Sequence, residues 1–231
     1  LITWMAAGVP WLRERQEAAT GRFLAENGGW AITLQDPVLN LAVLLTTEHP
    51  DNPYYHDGEV LSMCARAGNA LVDAQYDDGT FEFIKPDGSR WGRIYMPWTF
   101  YHWVEAFAAL DDLLPPEPRA RWSQALELGF NGICRETAEN QHVHNIPTWR
   151  AMSLVRAGQI FEKDNWLEVG RQGIYRAADA QSPDGYWPEG GGPTTSYNFV
   201  YVHALGLYYH FTGDERVLEP LRRATDLKRA F

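Results

Sequence analysis

Cysteine is scarce in this sequence. The two cysteines among 231 residues, Cys64 and Cys134, occur in apolar, helix-like stretches. Neither lies in a Cys-x-x-Cys or Cys/His spacing, so a cysteine-based metal site and a fold held by several disulfides are both excluded. Buried free thiols are the expected state, and a single disulfide between the two stays open.

Positive charge and long apolar runs are scarce as well. The chain has a formal net charge of -10, and lysine occurs only at Lys85, Lys163 and Lys228. An acidic chain is a poor general binder of nucleic acid or of an anionic membrane, so we expect neither partner. A local arginine-lined cleft for carboxylates stays open, because guanidinium groups pair with carboxylates in a planar fork. No apolar run reaches the length of a membrane span.

The ends of the chain carry no targeting signal. The sequence begins at Leu1 without a signal-peptide pattern and stops at Phe231, directly after a helical pattern with no capping residue. We therefore expect a piece of a longer protein, truncated at one or both ends, and the missing signal leaves its localisation open.

Helical periodicity dominates what is present. Apolar residues make up 45% of the chain and aromatic residues 13%, which is enough for a sizeable core. Apolar positions recur with helical spacing and no strand-rich block interrupts them, so the pattern predicts an all-α protein. The predicted helices are 11–25, 37–48, 57–75, 97–112, 117–138, 146–161, 164–180, 195–211 and 214–229.

Turn segments of one kind recur between the predicted helices. Asp-Gly dipeptides near aromatic residues occur at 78–79, 87–88 and 184–185, and glycine supplies the positive φ of such turns. Their recurrence predicts a helix–loop–helix unit of about 40–50 residues. The charged helix 117–138 is typical of an outer layer, and the helices rich in Tyr, His and Trp are typical of an inner one. We expect a single α/α-toroid domain over 1–231, an incomplete barrel of paired helices, with a stacked α-solenoid as the alternative.

The first candidate for a site is the segment NQHVHNIPTW at 140–149. Asn145 stands where a helix N-cap is expected. His142 and His144 alternate before it, and Trp149 follows one turn later. These residues suit either a capped helix start with surface histidines or one wall of a catalytic cleft. No spacing there matches a known metal motif, so we expect no metal.

The second candidate is DGYWPEGGGPTTSYNFVYVH at 184–203. Glycines at 190–192 predict a rim without side chains, where a chain-like ligand can approach the backbone. Tyr197 falls in the first turn of the following helix, and Tyr201 lies one turn further on the same face. An aromatic core stripe is the favoured interpretation for Tyr201, whereas Tyr197 can be both fixed and exposed to a ligand.

The third candidate is RWGRIYMPWTFYHWVEAF at 90–107. Flat aromatic faces flanked by guanidinium groups suit acidic sugars, because rings stack on sugars and arginine pairs with carboxylates. Trp91 and Arg93 are the preferred contacts, and Tyr101 and His102 are further candidates. The packed corner of a helical domain is the alternative.

Other catalytic patterns are missing or ambiguous. The sequence has no Gly-x-Ser-x-Gly nucleophile elbow. A glycosidase needs two carboxylates across the scissile bond. Asp57, Asp184 and Glu189 are candidates, and the sequence leaves their pairing open.

The first two segments together resemble the α/α-toroid polysaccharide lyases, especially the heparinase II/III-like and alginate-lyase-like groups. In that family an Asn near a His begins one inner helix, as Asn145 and His144 do here. An Asp-Gly-x-x-x-Glu-Gly loop leads to a Ser-Tyr at a later helix start, as before Tyr197. The likeness is good over 140–213 and otherwise extends to helix order only. One departure is Asn198, where the family often has His.

The resemblance implies β-elimination in a uronic-acid polysaccharide, without a cofactor. Asn145 would donate to the substrate carboxylate, Tyr197 would be the acid or both acid and base, and His144 would be the base or the neutralising partner. An anionic polysaccharide is the implied partner, and a secreted or periplasmic location is typical of the family. The implied substrate contacts are His142, Trp149, Trp91, Arg93, Tyr101, His102, Trp187, Glu189 and Tyr201.

Two other functions stay open. A glycoside hydrolase of the unsaturated-uronyl type, on the same fold, would depend on Asp184, Glu189 or Asp57. A non-catalytic carbohydrate-binding helical domain would bind without turnover. Product absorbance separates the enzymes, because the lyase creates a conjugated double bond that the hydrolase destroys.

Overall fold

Helices make up most of the structure. The structure, a computed structural model, describes residues 1–85, 87–189 and 192–229. In this part of the chain, strands are confined to two short antiparallel hairpins, so the prediction of a largely helical protein is confirmed. None of the described helices is both long and apolar enough to cross a membrane. Gly190 and Gly191, which belong to the predicted glycine rim, lie outside the described residues.

Helices follow one another along the described chain, and two of the loops between them contain a β-hairpin. The helices are α1 (Ile2–Arg15), α2 (Pro37–Thr46), α3 (Gly58–Ala74), α4 (Pro97–Ala109), α5 (Pro116–Glu139), α6 (Asn145–Ile160), α7 (Asp164–Asp179), α8 (Thr195–Thr212) and α9 (Leu218–Arg229). The strands are β1 (Phe81–Ile84), β2 (Arg90–Ile94), β3 (Pro188–Glu189) and β4 (Gly192–Pro193). β1 pairs with β2, and β3 pairs with β4.

The chain forms two compact units. Unit 1 is Leu1–Gly129 and unit 2 is Phe130–Phe231, so α5 begins in the first and ends in the second. In unit 1, α2 packs on α1, α3 and α4; in unit 2, α6 packs on both α7 and α8. Helices α4 and α6 are extensively buried and contain few charged residues, as expected because burial of unpaired charge is costly.

Helix starts and stops have local causes. Asp57 caps α3, its Oδ1 accepting the Val60 N–H at 2.8 Å. Proline occupies the first position of α2, α4 and α5, where its missing N–H costs nothing. Gly213 ends α8 in the left-handed conformation, and Asp214 caps the following 3-10 turn through the Arg216 N–H.

The predicted helix 11–25 is wrong. The helix is α1, which ends at Arg15, and Pro10 lies inside it rather than before it. Beyond it, the chain turns back so that Gln16 and Phe23 form an antiparallel bridge. Gly21 adopts a φ of 73°, which a helix cannot accommodate. The other eight predicted helices each overlap an observed helix over most of their length.

A glutamine–glycine turn follows three of the helices, α1, α3 and α7. In each copy the glutamine Nε2 donates to two backbone carbonyls. One belongs to a glycine four or five residues later, and the other belongs to the second helix after the turn. The copies are Gln16 with Gly21 and Met63, Gln75 with Gly79 and Ala125, and Gln181 with Gly185 and Pro220, with N–O distances of 2.8–3.1 Å. A buried aromatic residue follows each glycine by two positions: Phe23, Phe81 and Trp187. The turn therefore ties each helix end to a helix further along the chain.

The turn glycines are required by both conformation and space. Gly185 has a φ of 89°, and a Cβ there would clash with the backbone carbonyl of Arg223 in α9. Gly21 stands in the same relation to the Arg66 carbonyl of α3. An L-residue would be strained in φ and would also push the neighbouring helix away.

Close packing fixes α6 against α7. Gly170 of α7 lies against the Ala151 carbonyl oxygen of α6, and Gly173 of α7 lies against the Ala151 side chain. Gly158 of α6 lies against Leu167 of α7. A Cβ at any of the three glycines would meet these atoms below normal contact distance. Helix α6, which directly follows His142 and His144, is therefore held in a tightly packed helix pair.

Both cysteines are buried free thiols. The Cys64 Sγ lies 3.5 Å from the Val38 carbonyl oxygen, and burial raises the pKa of this thiol. Cys134 accepts from the Asn165 side chain, and burial raises its pKa too. Both thiols are therefore poorly ionised at neutral pH and unsuited to nucleophilic chemistry.

Comparing Gly185→Ala with Gly213→Ala tests the glutamine–glycine turn. Both positions have positive φ, but a Cβ at Gly213 meets no atom within 4 Å. We expect Gly213→Ala to lower the free energy of unfolding by about 1 kcal/mol through conformational strain. Gly185→Ala adds the clash with α9 and is expected to cost roughly 3 kcal/mol or more. Urea denaturation measures both, and equal losses would show that the turn does not hold α9.

Candidate functional site

The start of α6 is capped by a side chain from a distant loop. His144 occupies the N-cap position but makes no side-chain capping bond, and Asn145 is the first helical residue. The Asn145 backbone N–H donates instead to Glu189 Oε1 at 2.7 Å. An anion at a helix N-terminus is favoured by both the free N–H groups and the helix dipole. Glu189 thus performs the capping that the sequence suggests for Asn145.

Glu189 also binds α8. The Tyr201 hydroxyl donates to the same oxygen, Glu189 Oε1, at 2.6 Å. The Tyr201 ring stacks on Trp187, with centroids 4.9 Å apart and planes inclined by 2°. Burial and the bond to the carboxylate raise the pKa of Tyr201, so its phenol keeps its proton.

Asn198 anchors the Trp187 loop. Its Oδ1 accepts the Trp187 backbone N–H at 2.9 Å, and its Nδ2 donates to the Trp187 carbonyl at 3.1 Å. The Trp187 indole donates to the Ala177 carbonyl at 2.7 Å. Asn198 therefore has a structural role at the position where the resembling family often has His.

An open cavity lies beside this network in unit 2. Its volume is about 430 Å³, and it is lined by His142, Val143, His144, Ala180, Trp187, Pro188, Glu189 and Tyr201. Five of these residues are among the candidate site residues. The cavity joins the N-terminal end of α6, the loop after α7 and the first turns of α8.

The two histidines of the cavity lie close together. Their ring centroids are 5.3 Å apart. The pKa of His144 is lowered chiefly by burial; the Glu189 carboxylate acts in the opposite direction, and His142 and Arg150 add to the lowering. His144 is therefore neutral at neutral pH and able to accept a proton.

Asn145 and Tyr197 stand at the edge of this arrangement. Asn145 is 8% exposed, and its side-chain amide makes no hydrogen bond within the described residues. The Asn145 amide can therefore donate a hydrogen bond to a ligand. Tyr197 is 47% exposed in the first turn of α8, one helical turn before Tyr201, and is not among the residues lining the cavity.

Trp149 has the surroundings of a core residue. It is 2% exposed and makes an edge-to-face contact with His203, with centroids 4.9 Å apart. Its ring therefore supports the α6–α8 packing and has almost no surface for a sugar. No local sequence pattern predicts His203 as its partner.

The predicted sugar platform lies in unit 1. Trp91, on β2, is 67% exposed, and Lys85 Nζ lies 3.6 Å from its ring centroid. Arg93 on the same strand covers the Tyr76 ring at 3.8 Å and pairs with Asp78 at 3.4 Å. The guanidinium is thus partly engaged, while Trp91 presents an open ring.

The α4 candidates differ from each other in exposure. Tyr101 is buried at 9% exposure. His102 Nδ1 lies 3.4 Å from Asp36 Oδ2, without hydrogen-bond alignment, while Asp36 Oδ1 accepts from the Thr99 hydroxyl at 2.8 Å. Asp36 therefore serves α4 rather than capping α2. Among the described residues, no three His, Cys, Asp or Glu side chains converge as a metal site requires.

Comparison with known proteins leaves the family open. No protein-family model matches the chain, and no curated protein matches it either.

Proposed function

We propose that the protein is a polysaccharide lyase that cleaves a uronic-acid polysaccharide by β-elimination. One observation carries the proposal. The neutral histidine His144 lines the cavity at the start of α6 and is followed directly by Asn145, whose side-chain amide can donate, while Tyr197 is exposed in the first turn of α8. A base, an acid and a donor for the substrate carboxylate are the groups that this reaction needs.

We also propose that the helices are arranged as an α/α toroid, in a single domain. The repeated glutamine–glycine turns support this arrangement. They join α1 to α3 and α3 to α5 within unit 1, and α7 to α9 within unit 2. Alternate helices are thus neighbours, as the outer layer of a toroid of paired helices requires. Direct packing of α2 on α4 and of α6 on α8 supports an inner layer.

The first step is removal of a proton from the carbon α to the substrate carboxylate. That proton is weakly acidic while the carboxylate keeps its charge, so the developing negative charge must be stabilised. In the proposal the Asn145 amide donates to the carboxylate, a preorganised contact of the kind that dominates many catalytic effects. His144 takes the proton, because its lowered pKa keeps it neutral.

The second step is departure of the sugar oxygen on the β carbon. The electron pair of the broken C–H bond forms the double bond, the C–O bond breaks, and the leaving oxygen receives a proton. Tyr197 is the proposed donor, since it is exposed at the start of α8. Tyr201 is held by Glu189 and serves in binding. The other proposed substrate contacts in the unit 2 cavity are His142, Trp187 and Glu189. The proposed contacts that belong to unit 1 are Trp91, Arg93, Tyr101 and His102.

The hydrolase alternative is less well supported. Glu189 is the single carboxylate among the residues that line the cavity, and its Oε1 already accepts two hydrogen bonds. Asp57 is engaged as the cap of α3, and Asp184 is exposed in the turn after α7. A pair of carboxylates facing one bond is therefore missing from this cavity.

Ultraviolet absorbance of the unsaturated uronate product tests the lyase. We expect absorbance to rise when the protein is incubated with one of a panel of uronic-acid polymers. Tyr197→Phe and Asn145→Ala should each lower the rate about 100-fold or more, because each removes a group that acts in the transition state.

Tyr209→Phe is the matched control, since Tyr209 is another exposed tyrosine of α8 and lies outside the cavity. It should retain full activity. Loss of a pre-existing double bond would instead identify a hydrolase. Binding without any absorbance change by folded protein would identify the binding domain.

The pH dependence of kcat/KM tests His144 as the base. Because its folded pKa is lowered, His144 should stay neutral below the ordinary histidine value of about 6.5, and the acid limb should lie below that pH. Glu189→Gln removes the charge that raises this pKa, so the limb should move to still lower pH. NMR titration of the His144 ring measures the same shift, and a pKa above 6.5, or no shift in Glu189→Gln, would contradict the assignment.

A further inference from the structure

A second cavity lies in unit 1, between the loop before α2 and the tip of the β1–β2 hairpin. Its volume is about 270 Å³. Trp30 lines it from the loop, and Lys85, Asp87 and Arg90 line it from the hairpin. None of these residues belongs to the proposed catalytic cavity.

The charges of this cavity favour an anion. Among the described residues, neither Lys85 nor Arg90 has a side-chain nitrogen at salt-bridge distance from a carboxylate; the Lys85 ammonium lies over the Trp91 ring and attracts Asp87 only at longer range. The Asp87 carboxylate is engaged by Ser89, accepting its N–H at 2.9 Å and its hydroxyl at 2.6 Å. Arg22 adds a further cation, 4.7 Å from the Trp30 ring centroid. Positive charge therefore exceeds negative here, in a chain whose net charge is -10.

Two tryptophans accompany these charges. Trp30 lines the cavity, although its Nε1 atom is itself buried. The exposed ring of Trp91 stands next to Lys85 and offers a flat face to a sugar.

We propose that this cavity is a second, non-catalytic binding site for a carboxylate- or sulfate-bearing sugar of an acidic polysaccharide. Lys85 and Arg90 pair with the acidic group, and Trp30 lines the pocket that holds the sugar. The choice of polysaccharide rests on the proposed function. The site's position fits this role, because both segments that form it follow glutamine–glycine turns, as the Trp187 loop of the catalytic cavity does.

Indole N–H signals in a protein labelled with ¹⁵N-tryptophan report on the two cavities separately. The Trp30 signal is assigned by its loss in Trp30→Phe, or by sequential assignment if that variant does not fold. The probes are glucuronan oligosaccharide, heparin oligosaccharide, neutral cello-oligosaccharide, and sodium sulfate at ionic strength matched with sodium chloride. Trp187 reports on the catalytic cavity.

We expect the Trp30 signal to shift saturably with the two acidic oligosaccharides and not with the neutral one. Lys85→Ala combined with Arg90→Ala should weaken that response roughly tenfold or more, since two charge-assisted contacts are lost. Arg222→Ala combined with Arg229→Ala removes the same charge from exposed positions of α9 and should leave the response unchanged.

Three results would overturn the site: no Trp30 shift with either acidic oligosaccharide, an equal response to the neutral one, or equal weakening by the α9 control pair. If sulfate alone produces the full shift, the occupant is a free anion and the sugar assignment fails. The lyase is judged separately. A shift of the Trp30 signal without turnover would contradict the lyase proposal and support this site. Turnover without a shift of the Trp30 signal would support the lyase proposal and contradict this site.

Discussion

The carboxylate of Glu189 connects three segments of unit 2 that are far apart in sequence. One oxygen accepts the first N–H of α6 and the hydroxyl of Tyr201 in α8, while its own backbone belongs to β3. Hydrogen bonds to a charged group contribute about 1.5–3 kcal/mol each, so the contact is a substantial part of a domain's net stability. The same charge opposes the effect of burial on the His144 pKa. Structure and electrostatics of the cavity therefore depend on one side chain.

The surroundings of Glu189 explain how this network keeps its shape. Trp187 is fixed by its indole N–H, by its stacking on Tyr201 and by the Asn198 amide on its backbone. Glycines along the α6–α7 contact leave the two helices little freedom to slide, because their backbones are in direct contact. The cavity wall is thus held by several independent contacts, while Tyr197, one helical turn before Tyr201, remains exposed.

Local pattern predicted much of the secondary structure and little of its connectivity. Periodicity located the helices after α1, and the Asp-Gly dipeptides marked two of the three glutamine–glycine turns. The first copy escaped notice because its glycine follows Thr20 rather than an aspartate. The predicted helix began at residue 11, yet α1 begins at Ile2 and continues through Pro10. A helix of this kind is decided by packing, which a local pattern does not contain.

The candidate site shows the same limit. The two predicted site segments contain His142, His144 and Trp187, which line one cavity. Glu189 caps α6 from 44 positions further along the chain, so no local sequence pattern predicts this contact. Trp149 was predicted as a sugar contact, but tryptophan suits a core as well as a binding face. Its exposure of only 2% identifies it as a core residue.

The glutamine–glycine turn fixes where the chain leaves a helix, and it leaves the following segment free to differ. After Gly21 that segment contains a 3-10 turn, after Gly79 a hairpin of a four-residue and a five-residue strand, and after Gly185 a hairpin of two-residue strands. Insertions at these points would lengthen surface loops at small entropic cost, without moving the helices that the turn joins. The fold therefore separates a constant frame of helices from loops that can differ in length and structure.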